Sequence, residues 1–140
     1  MGSTELKVAT YPLMILEAHL DTFGHVNNAT YLELFEEARW EIITRGGFGL
    51  GKIKEVGLGP VILEANIRFH RELVLRQEVV VKTQFPSFEG KIGRISQWIE
   101  DAQGTKYCSA EFKYALFDLK LRKIVSPTPE WIAACAYLNA

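Results

Sequence analysis

An aspartate, a glycine, a histidine and two asparagines crowd into Asp21-Thr22-Phe23-Gly24-His25-Val26-Asn27-Asn28. The run ends an extended segment and opens a helical one. A carboxylate placed there lies close to a helix N-terminus, where the dipole and free N–H groups favour negative charge. The same N–H groups can hold an oxyanion that develops on a carbonyl. Asp21 would then be a nucleophile or general base, with the backbone amide of Asn28 polarising an acyl group. The plainer alternative is that Asp21 and the asparagines cap the helix and shape a turn. His25 is either a polar contact for a substrate or part of that turn.

Other combinations carry less. His19, Asp21 and His25 include two ligand types that share one side of a strand, but no further His or Cys lies near, so no metal is expected. Gly46, Gly51 and Lys52 have the spacing of a phosphate-binding loop. Ile53 replaces the Ser or Thr that would touch Mg²⁺, a helix rather than a strand precedes the loop, and no helix is expected after it. Arg68, Arg71, Arg76, Lys82, Lys91 and Arg94 outnumber the acids around them, which suits either a phosphate-binding rim or the solvated face of strands. A Gly-x-Ser-x-Gly elbow is absent, so a serine-hydrolase triad has no support.

These residues need elements to hold them. Between Asn27 and Arg45, Tyr31, Phe35, Ala38 and Ile42 recur at helical spacing, with Leu32, Leu34 and Ile43 widening the stripe. Glu41 and Arg45 form a favourable pair one turn apart. Thr30 with Glu33 fits a capping box, and Gly46-Gly47 fits a stop. Leu6 to Leu20 reads as an extended run whose Pro12 suits an edge strand. Six of the eleven glycines fall between Gly46 and Gly59, which is expected to be a loop. Strands are expected over Val61–Phe69, Leu73–Phe85, Lys91–Glu100 and Lys106–Leu119, the last two forming a hairpin across Asp101-Ala102-Gln103-Gly104. A short helix is expected over Trp131 to Leu138. One long helix against a largely antiparallel sheet is an α+β layout.

Length and composition set the outer bounds. A chain of 140 residues fits one domain, expected to span 1–140, with a core that needs no staple. A net charge of −1 removes the footprint of a general nucleic-acid binder, and no apolar run is long enough for a membrane span. The N-terminus, Met1 to Leu6, shows no basic region followed by an apolar stretch. With no such signal, Cys108 and Cys135 are expected as reduced thiols, and the expected compartment is the cytoplasm.

The helix-opening motif and the element order together resemble the hotdog-fold acyl-CoA thioesterases, particularly the 4-hydroxybenzoyl-CoA thioesterase-like group. The resemblance covers roughly Val8 to Leu119 and is most specific from Asp21 through Tyr31 and on into Phe35-Glu36-Glu37-Ala38-Arg39. It implies a long helix wrapped by a curved, mainly antiparallel sheet, and hydrolysis of a thioester to a free acid and CoA without any cofactor. Asp21 matches the family's catalytic aspartate, and Asn28 supplies the backbone N–H that polarises the thioester carbonyl; His25 completes the expected catalytic set. Substrate contacts are expected from Phe23, Gly24, Tyr31 and Phe35, with Lys91 and Arg94 on a rim for the CoA phosphates. Tyr31 and Arg39 are also expected to pack and anchor the helix. The resemblance further implies homodimers joined sheet to sheet, or tetramers, with the site formed between subunits.

Some positions depart from the narrower patterns. Phe23 stands where the plant-type acyl-ACP thioesterases carry a catalytic asparagine, and His25 stands where the 4-hydroxybenzoyl enzymes carry an aliphatic residue. An acyl-ACP substrate and a module that binds acyl thioesters without turning them over are the alternatives. The His-centred signatures of the hydratase and dehydratase hotdogs are not found.

Overall fold

In the computed structural model, which describes residues 7–136, seven strands form one sheet and three helices accompany it. In chain order these are β1 (Ala9–Met14), α1 (Asn28–Arg45), α2 (Leu50–Val56), β2 (Leu58–Phe69), β3 (Glu78–Gln84), β4 (Phe88–Glu89), β5 (Ile92–Glu100), β6 (Lys106–Asp118), β7 (Lys123–Val125) and α3 (Pro129–Cys135). The main strands run β1-β3-β5-β6-β2, each antiparallel to its neighbour. β4 pairs with β5, and β7 with β6. The α+β architecture expected from the sequence is the one observed.

Period-two patterning builds the inner face. Val79, Val81 and Thr83 of β3, Ile95, Gln97 and Ile99 of β5, and Cys108, Ala110, Phe112 and Tyr114 of β6 are buried, while the residues between them are not. α1 lays its stripe of Tyr31, Leu34, Phe35, Ala38 and Ile43 into the same core. Phe35 meets Phe112 edge-on at 6.1 Å. A polar clamp fixes the rotation of the helix. Gln97, only 1% exposed, donates from Nε2 to the Phe35 carbonyl and to Thr83 Oγ1, and its Oε1 accepts from Arg39. Arg39 also covers the Phe112 ring at 4.7 Å. The helix-anchoring role expected of Arg39 is therefore met by two contacts, one polar and one to a ring face.

β1 and β2 are the two edges. Pro12 sits in β1 opposite Val80, where an edge strand has a free side to tolerate a missing N–H. β2 is twelve residues long and pairs on one side only, with β6. α1 ends where its Gly46 meets α3: a Cβ on Gly46 would fall 2.6 Å from the Ala134 backbone. No helix of the described residues is long and apolar enough to cross a membrane.

Several expectations are corrected. The glycine-rich stretch is not all loop, because α2 forms inside it and Ile53 anchors α2 to the core. Gly51 and Lys52 consequently lie within a helix, and Lys52 Nζ pairs with Glu130 at 3.2 Å. The expected strand from Leu73 begins only at Glu78, since Leu73 to Gln77 turns back with Arg76 at φ +65°. The capping box does not form. Asn27 is the N-cap without a side-chain bond, and Thr30 is buried inside the helix. β4 and β7 had no distinct signal. The Leu6 end of the first run, and Tyr137 and Leu138 of the last helix, lie outside the described residues.

Candidate active site

The motif from Asp21 to Asn28 folds as a tight excursion before α1. Leu20 and Val26 pair in an antiparallel bridge, and Asp21 N–H donates to the His25 carbonyl at 2.9 Å. Gly24 turns the chain at φ +89°, a region that L side chains rarely adopt. The Phe23 amide donates to Asp21 Oδ1 at 2.8 Å, so the carboxylate folds back over its own turn. Its other oxygen, Oδ2, faces His25 Nδ1 at 3.6 Å. The Phe23 ring, 83% exposed, stacks on the imidazole with centroids 6.2 Å apart.

Asn28 follows as the first residue of α1. Its N–H has no helical carbonyl four residues back, so it is one of the donors that a helix start leaves open. Asp21, Phe23, His25, Asn28 and Tyr31 all line one open cleft of about 640 Å³. The far wall comes from the end of β2 and the residues after it: Phe69, His70, Arg71 and Glu72. A carbonyl in this cleft can approach a carboxylate and the positive end of a helix together.

Tyr31 packs as expected and also borders the cleft. Its ring lines the cleft and packs edge-on against Phe69 at 5.2 Å, and its hydroxyl accepts from the Leu73 amide at 3.4 Å. Burial raises the Tyr31 phenol above its ordinary value. Phe35 is placed differently: it is fully buried in the core under Phe112 and does not line the cleft. Lys91 lies in the turn before β5, and Arg94 pairs with Glu89 at 3.7 Å; neither borders the cleft as one chain forms it. Of the cations in that stretch, Arg71 borders it. His19 Nδ1 accepts the Leu16 amide at 2.9 Å, which ties it to a short turn.

Sequence reasoning passed over His70 and Glu72 as site residues and read Arg71 only as one cation of a phosphate rim or a solvated face. Their one signal is a block of polar residues directly after the apolar strand ending at Phe69, and nothing local connects that block to Asp21. A second, smaller cavity of about 190 Å³ lies beneath the C-terminal half of α1, lined by Arg39, Trp40, Ile43, Phe85, Tyr114 and Trp131 among others.

A helix held against an antiparallel sheet, with an acidic turn beside the open amides of its N-terminus, defines the hotdog class of thioester hydrolases. The chain belongs to the thioesterase-like superfamily, whose sequence pattern matches residues 16–135. It is 32% identical over 124 residues to the long-chain acyl-CoA thioesterase FadM of Escherichia coli K12, covering 88% of each chain. Its fold is similar to the probable thioesterase YbaW of Escherichia coli, with a TM-score of 0.81 at 28% identity over 94% of this chain and 99% of that one. It also superposes on the 1,4-dihydroxy-2-naphthoyl-CoA thioesterase Slr0204 of Synechocystis, with a TM-score of 0.83 over 92% of this chain and 96% of that one. At 19% identity, that last similarity speaks for the fold alone.

Proposed function

We propose that the protein hydrolyses acyl-CoA thioesters, with Asp21 as the reactive carboxylate and the open amides of α1, led by Asn28, as the oxyanion hole. One observation carries this: the Asp21 side chain and the first turn of α1 border the same cleft. The relation to a long-chain acyl-CoA thioesterase across nearly nine-tenths of both chains supports the carrier. Asp21 either attacks the thioester carbonyl, expelling the thiolate and leaving an acyl-aspartyl anhydride for water to cleave, or takes a proton from the attacking water. In both routes negative charge gathers on the carbonyl oxygen, where the helix amides lower the barrier; one such donor is commonly worth about 10² to 10³ in rate. In this reading His25 contacts the substrate or moves a proton beside Asp21. No cofactor enters either route.

The chain is proposed to be a single domain that pairs into a dimer along β2. That strand offers twelve residues of one-sided pairing, and Ile62, Leu63 and Phe69 stand exposed on it. Such an edge attracts another strand. A two-fold pairing of β2 edges runs the two α1 helices antiparallel, each about 27 Å long. The apolar cavity under the C-terminal half of one α1 then turns toward the Asp21 end of the other, which suits the acyl portion of the substrate. A cytoplasmic setting fits the two free, buried thiols of Cys108 and Cys135.

The test is thiol release from short, long and aromatic acyl-CoAs, and from acyl-ACP, by wild type and Asp21→Asn. Release from acyl-CoA that vanishes in Asp21→Asn is the expected result. Binding of CoA esters with no release from any of them would make the protein a binding module, and release unaffected by the substitution would move the chemistry off Asp21. Release from acyl-ACP alone would change the carrier.

A further inference from the structure

Glu72 lies outside the helix-opening motif, in the segment between β2 and β3, yet it reaches the motif's histidine. His25 Nε2 is 3.8 Å from Glu72 Oε2, while His25 Nδ1 is 3.6 Å from Asp21 Oδ2. The imidazole therefore stands between two carboxylates, one from its own turn and one from a distant part of the chain. Phe23 covers one of its faces.

The backbone around Glu72 is fixed although its side chain is 69% exposed. Leu73 is fully buried, accepts the Val26 amide at 3.0 Å and donates its own amide to the Tyr31 hydroxyl at 3.4 Å. His25 and Val74 pair in an antiparallel bridge. Glu72 is thus presented to His25 by neighbours on both sides. The other ionisable groups on that wall are His70 and Arg71, and His70 Nε2 is already engaged with Ser109 Oγ at 2.8 Å.

We infer that Glu72 is a positioning residue for the hydrolysis: acting through His25, it fixes the direction in which the Asp21 carboxylate faces a bound thioester. This rests on Asp21 being the reactive carboxylate. Asp21 Oδ1 is held by the Phe23 amide, so the ring at Oδ2 is what sets the remaining rotation. Carboxylates face the imidazole at ion-pair distance on both of its nitrogens, so a ring that swings away from Glu72 gives up one of the two groups that hold it beside Asp21. The arrangement follows the general pattern of a reactive group, a histidine and a third group that orients it. Small displacements of a reacting group are costly in rate, so an exposed orienting residue is expected to matter by about tenfold rather than absolutely.

Thiol-release kinetics on Glu72→Gln, Glu72→Asp, His25→Gln and the His25→Gln/Glu72→Gln double variant test this. The expected result is a kcat about tenfold lower in Glu72→Gln at nearly unchanged KM, partial recovery in Glu72→Asp, and no further loss in the double variant relative to His25→Gln. A wild-type kcat in Glu72→Gln, or losses that multiply in the double variant, would overturn it. A measurement independent of turnover is the imidazole ¹⁵N spectrum at constant pH. The His25 resonances are expected to move in Glu72→Gln while those of His19 and His70 stay, and unmoved His25 resonances would overturn the coupling. Full activity in Asp21→Asn defeats the role of Asp21 itself; an inactive Asp21→Asn beside an unaffected Glu72→Gln defeats only the role of Glu72.

Discussion

Arg39 on α1 donates to Gln97 Oε1 on β5 at 2.9 Å, across the interface that sets the helix on the sheet. Burial lowers the Arg39 guanidinium below its ordinary value, so this cation depends on the few partners it has. Gln97→Ala is expected to cost about 2 to 3 kcal/mol, because it strands a donor of Arg39 and leaves Thr83 Oγ1 without the Gln97 N–H it accepts. Replacing both partners, as Arg39→Met/Gln97→Leu, is expected to recover part of that loss, since it leaves no guanidinium donor unmatched, while Thr83 Oγ1 still lacks its Gln97 partner. Denaturant melts of the single and double variants give the cycle, and strict additivity would contradict it.

Asp21→Asn keeps the shape of the turn, including the acceptor for the Phe23 amide. Its kcat is expected to fall at least about 100-fold with little change in KM, as befits a group needed in the transition state alone. Single-turnover hydrolysis by the wild type in H₂¹⁸O, paired with trapping of the acyl-enzyme, separates the two routes. Label in the Asp21 carboxylate, or a trapped acyl-aspartyl species, marks the anhydride route; label confined to the product acid with no trapped species marks the general base.

Gly24 sits at φ +89° with open space where a Cβ would stand. The cost of Gly24→Ala is therefore conformational, about 1 to 2 kcal/mol, and not a clash. The strain falls on the turn that aims Asp21, so kcat is expected to drop more than stability alone explains. Gly24→Asn should be milder, because Asn tolerates positive φ. Equal effects of the two substitutions on melting and turnover would argue against a backbone origin.

Burial pushes both thiols up to about 12, from an ordinary value near 9. Between those values the unfolded chain has released these protons and the folded chain still holds them. Stability contributed by this burial is therefore complete below about pH 9 and falls as pH rises toward 12, by up to about 1.4 kcal/mol per pH unit for each thiol. Thermal melts from pH 7 to 11 should show the decline begin near pH 9, and Cys108→Ala and Cys135→Ala should each flatten it. Native protein should react with thiol reagents only on unfolding, since neutral buried thiols are poor nucleophiles. Prompt labelling of either cysteine in the native state would count against this.

Pairing along β2 predicts a particle of twice the chain mass by light scattering at micromolar concentration. Leu63→Lys/Ala65→Lys puts two charges on that edge and is expected to give monomers with sharply reduced turnover. A wild-type monomer with full activity would remove the shared site.

Much of this was legible along the chain itself. The stripe of Tyr31, Phe35, Ala38 and Ile42 announced α1, because one face of a helix must carry the residues it buries. The turn residues Asp101-Ala102-Gln103-Gly104 between two β-rich runs announced the hairpin of β5 and β6. The Asp21 motif was readable for the same reason: its carboxylate, its tight turn and the helix start it serves are neighbours in sequence, so local geometry alone brings them together. The helix in the glycine-rich stretch was missed because glycine disfavours helix intrinsically, and the packing of Ile53 into the core outweighs that.

What the sequence by itself determined, then, is the local chemistry and the periodic elements. Which faces meet was decided only by the tertiary structure. Gln97 reads as an ordinary polar residue until β5 lies under α1, and burial then makes its hydrogen bonds obligatory. Phe35 reads as a lining for substrate until packing against Phe112 seals it in the core. Glu72 reads as a solvated charge until the bridge between His25 and Val74 sets it opposite His25. Contacts of this kind depend on the register of strands far apart in the chain, and side-chain spacing along one segment carries no information about that register.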